Sequence, residues 1–136
     1  MPEPANGLIT LLSAHDFSTT LDRLVTALQT KDVMIFARVD HAAGAASVNM
    51  ALRPTTLVIF GNPAAGTPLM QAAQTAGIDL PLKALVWLDA DGSVKLSYND
   101  PGWIAARHAL GSKPSQAVAA VSRVLETFAQ HATGNE

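Results

Sequence analysis

The sequence has no cysteine, few aromatic residues and no large excess of charge of either sign. Without thiols the chain forms no disulfide, no zinc–thiolate site and no cysteine nucleophile. Nine basic and eleven acidic residues give a net charge of −2, and only two tryptophans, one tyrosine and four phenylalanines are present to stack on bases. We therefore expect neither nucleic acid nor a membrane as a partner.

Long hydrophobic runs are also missing, since no segment approaches the roughly eighteen apolar residues of a membrane-spanning helix. The opening segment, MPEPANGLITLLSA, lacks the basic region and the long apolar stretch of a secretory signal peptide. A chain of 136 residues is large enough to bury a core of its own, and no linker or repeat divides it. The sequence predicts a single cytoplasmic domain over residues 1–136.

Short apolar segments alternate with amphipathic ones along the first half of the chain. We expect strands at 7–13, 33–40 and 55–61, a helix at 17–31, and a short helix or loop at 41–47. The first helix has apolar residues at helical spacing and takes Asp16 or Ser18 as its N-cap. The third strand is apolar on both faces, which indicates a central position in a sheet.

The second half contains a hairpin and three further helices. Strands at 83–89 and 93–98 flank Ala90–Asp91–Gly92, a turn sequence that makes them antiparallel neighbours. We expect one helix with Thr67 as N-cap and Pro68 as its first residue, ending at Gly77, one from Asp100–Pro101 to about Leu110 with Gly111 as the stop, and one at 114–131. The last helix carries an apolar stripe formed by Ala117, Val118, Val121, Val124, Leu125 and Phe128.

Together these elements predict a two-layer α/β (α+β) domain in which helices cover a mixed, mostly antiparallel sheet of about five strands. The strand–helix–strand stretches allow a parallel crossover pair, whereas the hairpin requires an antiparallel one. The pattern leaves the order of the strands open.

The segment TLVIFGNPAAGTPLM has the glycine spacing of a phosphate-binding loop, with four residues between Gly61 and Gly66. Such a loop needs a lysine and then a hydroxyl side chain after the second glycine, but Thr67 and Pro68 occupy those positions. We predict that the chain does not bind ATP or GTP with magnesium at this segment. The expected helix start at Thr67 leaves weak binding of a carboxylate or a small anion open.

Four segments read together resemble a known family, namely ARVDHAAGAA, LRPTTLVIFGNPAAGTPLM, IDLPLKALVWLDADGSVKLSYNDP and ARHAL. They are similar to the domain-of-unknown-function family numbered 302 of bacteria and archaea, over about residues 8–130. The resemblance implies a small two-layer α/β domain that is commonly dimeric and has no established reaction. The polar motif positions of the family correspond here to Asp40, His41, Asn62, Thr67, Asp79, Lys83, Tyr98, Asn99, Asp100 and His108.

Three functions are compatible with these residues. The first is a small-ligand or anion-binding module, whose site would combine Asn62, Thr67, Lys83, Tyr98, Asp100 and His108. The second is an enzyme that uses His41 or His108 as general acid/base, with Asp40 or Asp100 as the adjacent carboxylate. The third is a homodimeric interaction or assembly domain.

No cofactor and no metal are expected. The histidines His15, His41, His108 and His131 show none of the HxH, HxxH or HExxH spacings that hold a metal locally. We expect the functional surface to lie in the segments 40–41, 62–67, 79–83 and 98–108, because their polar residues exceed what caps and turns require. The two long amphipathic helices are expected only to cover the core.

Overall fold

The centre of the structure is one β-sheet, seen in a computed structural model that describes residues 6–134. Its strands are β1 (Leu8–Leu12), β2 (Met34–Asp40), β3 (Thr55–Gly61), β4 (Leu82–Leu88) and β5 (Val94–Asn99). The order across the sheet is β1-β5-β4-β3-β2, and each neighbouring pair is antiparallel. The five-strand, two-layer prediction is confirmed, and the parallel pair that the sequence leaves open does not occur in this sheet.

The helices are α1 (Phe17–Thr30), α2 (His41–Ser47), α3 (Pro63–Ala72), α4 (Pro101–Arg107) and α5 (Ser115–Thr133), and a 3₁₀ helix at Gln74–Ile78 follows α3. The bounds of α1 and α5 agree with the sequence pattern. Helix α4 ends about three residues earlier than predicted, with His108 as its C-cap. Beyond it, Ala109 and Gly111 take φ angles of 52° and 74°, a left-handed backbone that stops the helix.

Three helices begin at an aspartate that caps their free backbone N–H groups. The carboxylates of Asp16, Asp40 and Asp100 accept hydrogen bonds from the backbone nitrogens of Thr19, Ala43 and Gly102, at 2.8, 2.9 and 3.0 Å. Of the two caps predicted for α1, Asp16 and Ser18, the structure uses Asp16. The other two aspartates are engaged as caps and are not paired with a histidine.

One face of the sheet and the apolar sides of α1 and α5 form the main core. Its nearly inaccessible members include Leu24, Leu28, Val58, Phe60, Val86 and Leu96, each at most 1% exposed. The expected stripe of α5 holds at Val121, Leu125 and Phe128, but Val124 remains 44% exposed. The sequence prediction was wrong for Val124, which lies at the edge of the buried stripe that α5 packs against α1 and the sheet.

The opposite face of the sheet carries no helix in the part of the chain that the structure describes. We call it the open face, and its apolar side chains are those of Leu8, Leu12, Val39, Leu57, Ile59, Leu85 and Trp87, which alternate along the strands with core residues. Leu8 is 43% and Leu12 68% exposed, while the central members are half-buried. Among residues 6–134, helices therefore cover only one face of the sheet.

The β4–β5 hairpin turns at the predicted Ala90–Asp91–Gly92 segment, where Gly92 has a φ of 88°. In its register Trp87 lies opposite Lys95, and Tyr98 lies opposite Ala84. Trp87 and Tyr98 therefore do not face each other across the hairpin. Trp87 lies on the open face and Tyr98 belongs to the main core.

Helix α3 begins earlier than the sequence predicts. Its N-cap is Asn62 and its first residue is Pro63, so Thr67 and Pro68 lie inside the helix and not at its start. Two successive cap-and-proline pairs occur in this segment, and the chain uses the first of them. Gly77 is not the stop of the helix either, because it lies in the 3₁₀ helix after α3 has ended.

Candidate functional site

An apolar cleft of about 290 Å³ lies between α3, the end of β3 and the segment entering β4. It is lined by Phe36, Gly61, Asn62, Pro63, Ala65, Gly66, Thr67, Leu69, Met70, Leu80, Pro81, Leu82 and Val121. None of these side chains is charged, and only those of Asn62 and Thr67 are polar. The volume is at the lower end of the range for small-molecule sites.

The two glycines of the predicted loop help to keep this cleft open. A Cβ atom at Gly66 would lie 3.7 Å from Cδ1 of Leu80 and 3.8 Å from Cε of Met70. A Cβ atom at Gly61 would lie 3.6 Å from Cε2 of Phe36. Since these are ordinary van der Waals distances, a side chain here would fill the cleft without a clash at its first atom, and the glycines leave that space empty.

The start of α3 has no backbone donor left for an anion. Pro63 has no N–H group, and the N–H of Ala64 donates to Oδ1 of Asn62 at 2.8 Å. The next two N–H groups, of Ala65 and Gly66, both donate to the carbonyl oxygen of Asn62, at 2.9 and 3.2 Å. The weak anion site expected at a helix start at Thr67 therefore has no structural basis, because that start lies at Asn62 and its donors are used.

The polar residues expected to share one site are not all brought together, although Lys83 and Tyr98 both line one depression on the open face. Asn62 and Thr67 line the cleft. Lys83 lies on the strand face opposite the core, and its Nζ donates to the carbonyl oxygens of Asp79 and Pro81, at 3.2 and 3.4 Å. Its ammonium group is thus engaged with the backbone of the segment that enters β4.

Tyr98 and Asp100 also lie away from the cleft. Tyr98 is 6% exposed in the main core, where burial raises the pKa of its hydroxyl and the negative charges of Glu126 and Asp100 raise it further. Asp100 serves as the cap of α4. The fold gives both residues structural contacts, and the cleft is lined by other residues.

His108 has a carboxylate partner, but it is Asp79 and neither Asp40 nor Asp100. Nε2 of His108 lies 2.6 Å from Oδ2 of Asp79, and Nδ1 lies 2.9 Å from Oγ1 of Thr75. The His108 and Asp79 side chains are only 7% and 14% exposed. The carboxylate beside His108 is therefore not one of the two predicted, and it lies 29 positions away in the sequence.

Arg107 completes this cluster. Its Nη1 lies 2.9 Å from each carboxylate oxygen of Asp79, and its guanidinium group lies 5.7 Å from the ring centre of Trp103. Burial by itself raises the pKa of Asp79, but the hydrogen bond from His108 and the charge of Arg107 outweigh it, so the pKa is lowered from its usual value of 3.8. Asp79 is therefore ionised at neutral pH.

The second candidate histidine, His41, is exposed at the first position of α2. Its neighbour Asp40 caps that helix. Within residues 6–134 no group of three or more acidic or histidine side chains is arranged to hold a metal ion.

Several site residues carry no signal in the sequence. Phe36 reaches the cleft from β2, whose register shifts between Ile35 and Ala37, and a bulge of this kind cannot be derived from residue types alone. Thr75 is an ordinary polar residue of a short 3₁₀ helix. Only the fold brings it to His108.

The fold and the site define a small two-layer α/β domain with an apolar cleft at one end of its antiparallel sheet. The chain belongs to the family DUF302, a domain of unknown function, which matches residues 9–128. This confirms the resemblance drawn from the sequence. The crystal structure of an uncharacterized conserved DUF302 protein from Bacillus stearothermophilus has the same fold, with a TM-score of 0.80 and 16% identity over 94% of this chain and 99% of that one.

Two curated relatives of this chain are named as ion channels. The proteins called fluoride-specific ion channel FluC 1 in Brucella suis and in Brucella abortus are each 42% identical to this chain over 130 residues. The match covers 96% of this chain but 51% and 48% of those proteins, so the chain spans about half the length of these relatives. In residues 6–134 no helix has the length and apolar character needed to cross a membrane.

Proposed function

We propose that this domain binds a small, uncharged and largely apolar molecule in the cleft beside α3. The observation that carries the proposal is the lining of the cleft, which is apolar on all sides and has no charged side chain. A concave apolar surface with one or two polar groups is the usual form of a small-molecule site. A charged ligand would lose its hydration there without gaining a partner of opposite charge.

Thr67 is the polar group that would orient such a ligand. Its side chain lies at the cleft and is exposed, and its hydroxyl makes no hydrogen bond to another residue in the range 6–134. Asn62 is less available because its Oδ1 caps α3. A ligand with one hydroxyl or carbonyl group on an apolar body fits this arrangement.

The name of the Brucella relatives raises fluoride as a second ligand to be tested. Fluoride is a small anion, and the start of α3 offers it no free N–H group while the cleft lining offers it no cation. We therefore do not expect fluoride to bind in the cleft. The channel activity belongs by name to proteins about twice as long as this chain.

Backbone NMR spectra recorded during titrations test the proposal. Benzyl alcohol and benzoate have similar size and shape and differ in charge, so they form a matched pair of probes. We expect benzyl alcohol to shift the amide signals of the non-proline residues in 61–70 and those of Leu80 and Leu82, and benzoate, sodium fluoride and sodium chloride to leave them in place. Shifts at these residues that are larger with benzoate or fluoride than with benzyl alcohol would contradict the proposal.

The open face favours a second function, assembly into a homodimer. It presents apolar side chains from four strands, with Leu57 and Leu85 directly opposite each other at its centre. Five strands spaced by about 4.8 Å and about six residues long make a face roughly 20 Å on each side. A face of this kind is normally packed against a second layer.

A twofold contact between two copies would provide that second layer, because sheets pack face to face in sandwiches. The ring of Trp87 is already held in one position on this face. Its Nε1 donates to Oγ of Ser97 at 2.9 Å, and Nζ of Lys95 lies 5.3 Å from its ring centre. Sedimentation equilibrium tests the proposal. Twice the chain mass of 14.2 kDa is expected, and a single chain mass at high concentration would contradict it.

A further inference from the structure

Three side chains outside the cleft form a continuous chain of hydrogen bonds from the surface into the protein. Oγ1 of Thr75 contacts Nδ1 of His108 at 2.9 Å, and Nε2 of His108 contacts Oδ2 of Asp79 at 2.6 Å. Thr75 is exposed, whereas the imidazole and the carboxylate are largely buried. None of the three residues lines the cleft.

The direction of these hydrogen bonds follows from the chemistry of the groups. An ionised carboxylate only accepts hydrogen bonds, so Nε2 of His108 must carry the hydrogen that faces Asp79. In the neutral imidazole Nδ1 then has a lone pair, and the hydroxyl of Thr75 donates to it. Arg107, bound to both oxygens of Asp79, keeps that carboxylate in place. The result is a hydroxyl, a base and an orienting carboxylate in the order that nucleophilic catalysis uses.

We propose that Thr75 is a hydroxyl nucleophile, with His108 as its general base and Asp79 as a positioning residue, and that it accepts acyl groups from esters or thioesters. Oγ1 of Thr75 bonds to the carbonyl carbon while its proton passes to Nδ1 of His108. The bond from that carbon to the leaving oxygen or sulfur then breaks, and the leaving group takes the proton from His108. Water, deprotonated by the same imidazole, hydrolyses the acyl-threonine and restores the hydroxyl.

This inference is independent of the ligand proposed for the cleft, since the two sites share no side chain. It also differs from a purely structural role of the His108–Asp79 pair, which would tie α4 to the segment before β4 without making Thr75 reactive. The reactivity of the Thr75 hydroxyl therefore decides between the two roles.

The test is acetylation by p-nitrophenyl acetate, followed by acid quenching and mass spectrometry that locates the acetyl group. Thr30 provides an internal reference, because it is also exposed and its hydroxyl donates to a backbone carbonyl and not to a histidine. General-base assistance contributes about 10²-fold or more. We expect Thr75 to be acetylated faster than Thr30 by about that factor.

Variants then show whether the acetylation rate of Thr75 depends on the hydrogen bonds that link it to His108 and Asp79. Thr75→Val should abolish the label and Thr75→Ser should retain it. His108→Gln should slow acetylation of Thr75 to the rate of Thr30, and Asp79→Asn should slow it by about tenfold or more. Equal rates at Thr75 and Thr30 in the natural chain would overturn the proposal, as would an unchanged rate at Thr75 in folded His108→Gln. If that variant does not fold, the Thr75-to-Thr30 ratio in the natural chain and the effect of Asp79→Asn decide the question.

Discussion

The cleft beside α3 and the open face of the sheet are both apolar, but they differ in shape and in what lies around them. The cleft has walls from a helix, a strand end and a loop, and it encloses about 290 Å³. The open face is broad and has no second layer within residues 6–134. The walled cleft suits a small molecule, because such a ligand is surrounded by its site. The broad open face suits contact with the surface of another protein.

This difference arises from the way in which the strands end. Where β3 ends, Asn62 starts a helix at once, and the segment 79–82 folds back beside it, so three elements meet around a gap. Along the middle of the sheet, the alternation of side chains places one set in the core and the other on the outside. The same apolar composition therefore forms a walled cleft at one end of the sheet and a broader, more open depression on the open face.

The largest effect is expected at the open face. Leu85→Lys places a charge at its centre on each of two contacting copies, beside Lys83 and Lys95, and like charges in an interface cost several kcal/mol. The dimer dissociation constant should rise by about 10²-fold or more, measured by sedimentation equilibrium. Val124→Lys, which adds the same charge at an exposed apolar position of α5, is the control and should leave it unchanged. Equal effects of the two substitutions would mean that the open face is not the interface.

The second effect concerns the cleft. Gly66→Leu fills the space between α3 and Leu80 that the ligand would occupy, so the affinity for benzyl alcohol should fall roughly tenfold or more, which is about 1.4 kcal/mol. Gly44→Leu is the matched control, because it adds the same side chain to a helix at a position with open space around it. Titration calorimetry of both variants that returns the natural affinity would show that the ligand binds elsewhere.

Acid should lower the free energy of unfolding because it protonates Asp79, which precedes the segment beside the cleft. Its folded pKa lies below the unfolded value near 3.8, so its contribution to stability is fully present above about pH 3.8 and is lost as the pH falls towards the folded pKa. Asp79→Asn should lower the free energy of unfolding at neutral pH, and the difference from the natural chain should shrink below pH 3.8. Urea unfolding at a series of pH values measures this. A difference that stays constant with pH would contradict it.

The smallest effect is expected when only a methyl group is added at Gly66. Gly66→Ala replaces a helical glycine by alanine at ordinary contact distances, which stabilises a helix by up to about 1 kcal/mol. We expect a small rise in the melting temperature and little change in the affinity for benzyl alcohol. A loss of stability would mean that the wall formed by Leu80 and Met70 is already closely packed.

Most of the fold could be predicted from the sequence because caps and periodicity are local. Asp16 and the spacing of Leu21, Leu24 and Leu28 define α1, and Gly92 defines the hairpin turn. Helix α3 could not be placed, because Asn62–Pro63 and Thr67–Pro68 are both good starts and only the packed structure selects one. The strand order required contacts between distant segments, and so did the antiparallel character of every pair except β4–β5.

The candidate site could be predicted only in part. The segments 62–67 and 79–83 do contribute to the cleft, and His108 does meet a carboxylate. However, the polar residues of these segments are largely used by caps and backbone contacts, and the cleft is formed by apolar neighbours such as Phe36 and Met70 that look like core residues in a sequence. Homodimerisation, the cytoplasmic location and the absence of nucleotide binding stay predictions.

The central claim is that an uncharged apolar molecule occupies the cleft. Crystals of the protein soaked with 4-iodobenzyl alcohol test it most directly, because iodine scatters anomalously and its position can be located without a model of the ligand. We predict an anomalous peak within van der Waals distance of Leu69, Met70 and Leu80, and its disappearance in Gly66→Leu but not in Gly44→Leu. A cleft without iodine, in crystals where iodine binds elsewhere, would contradict the claim.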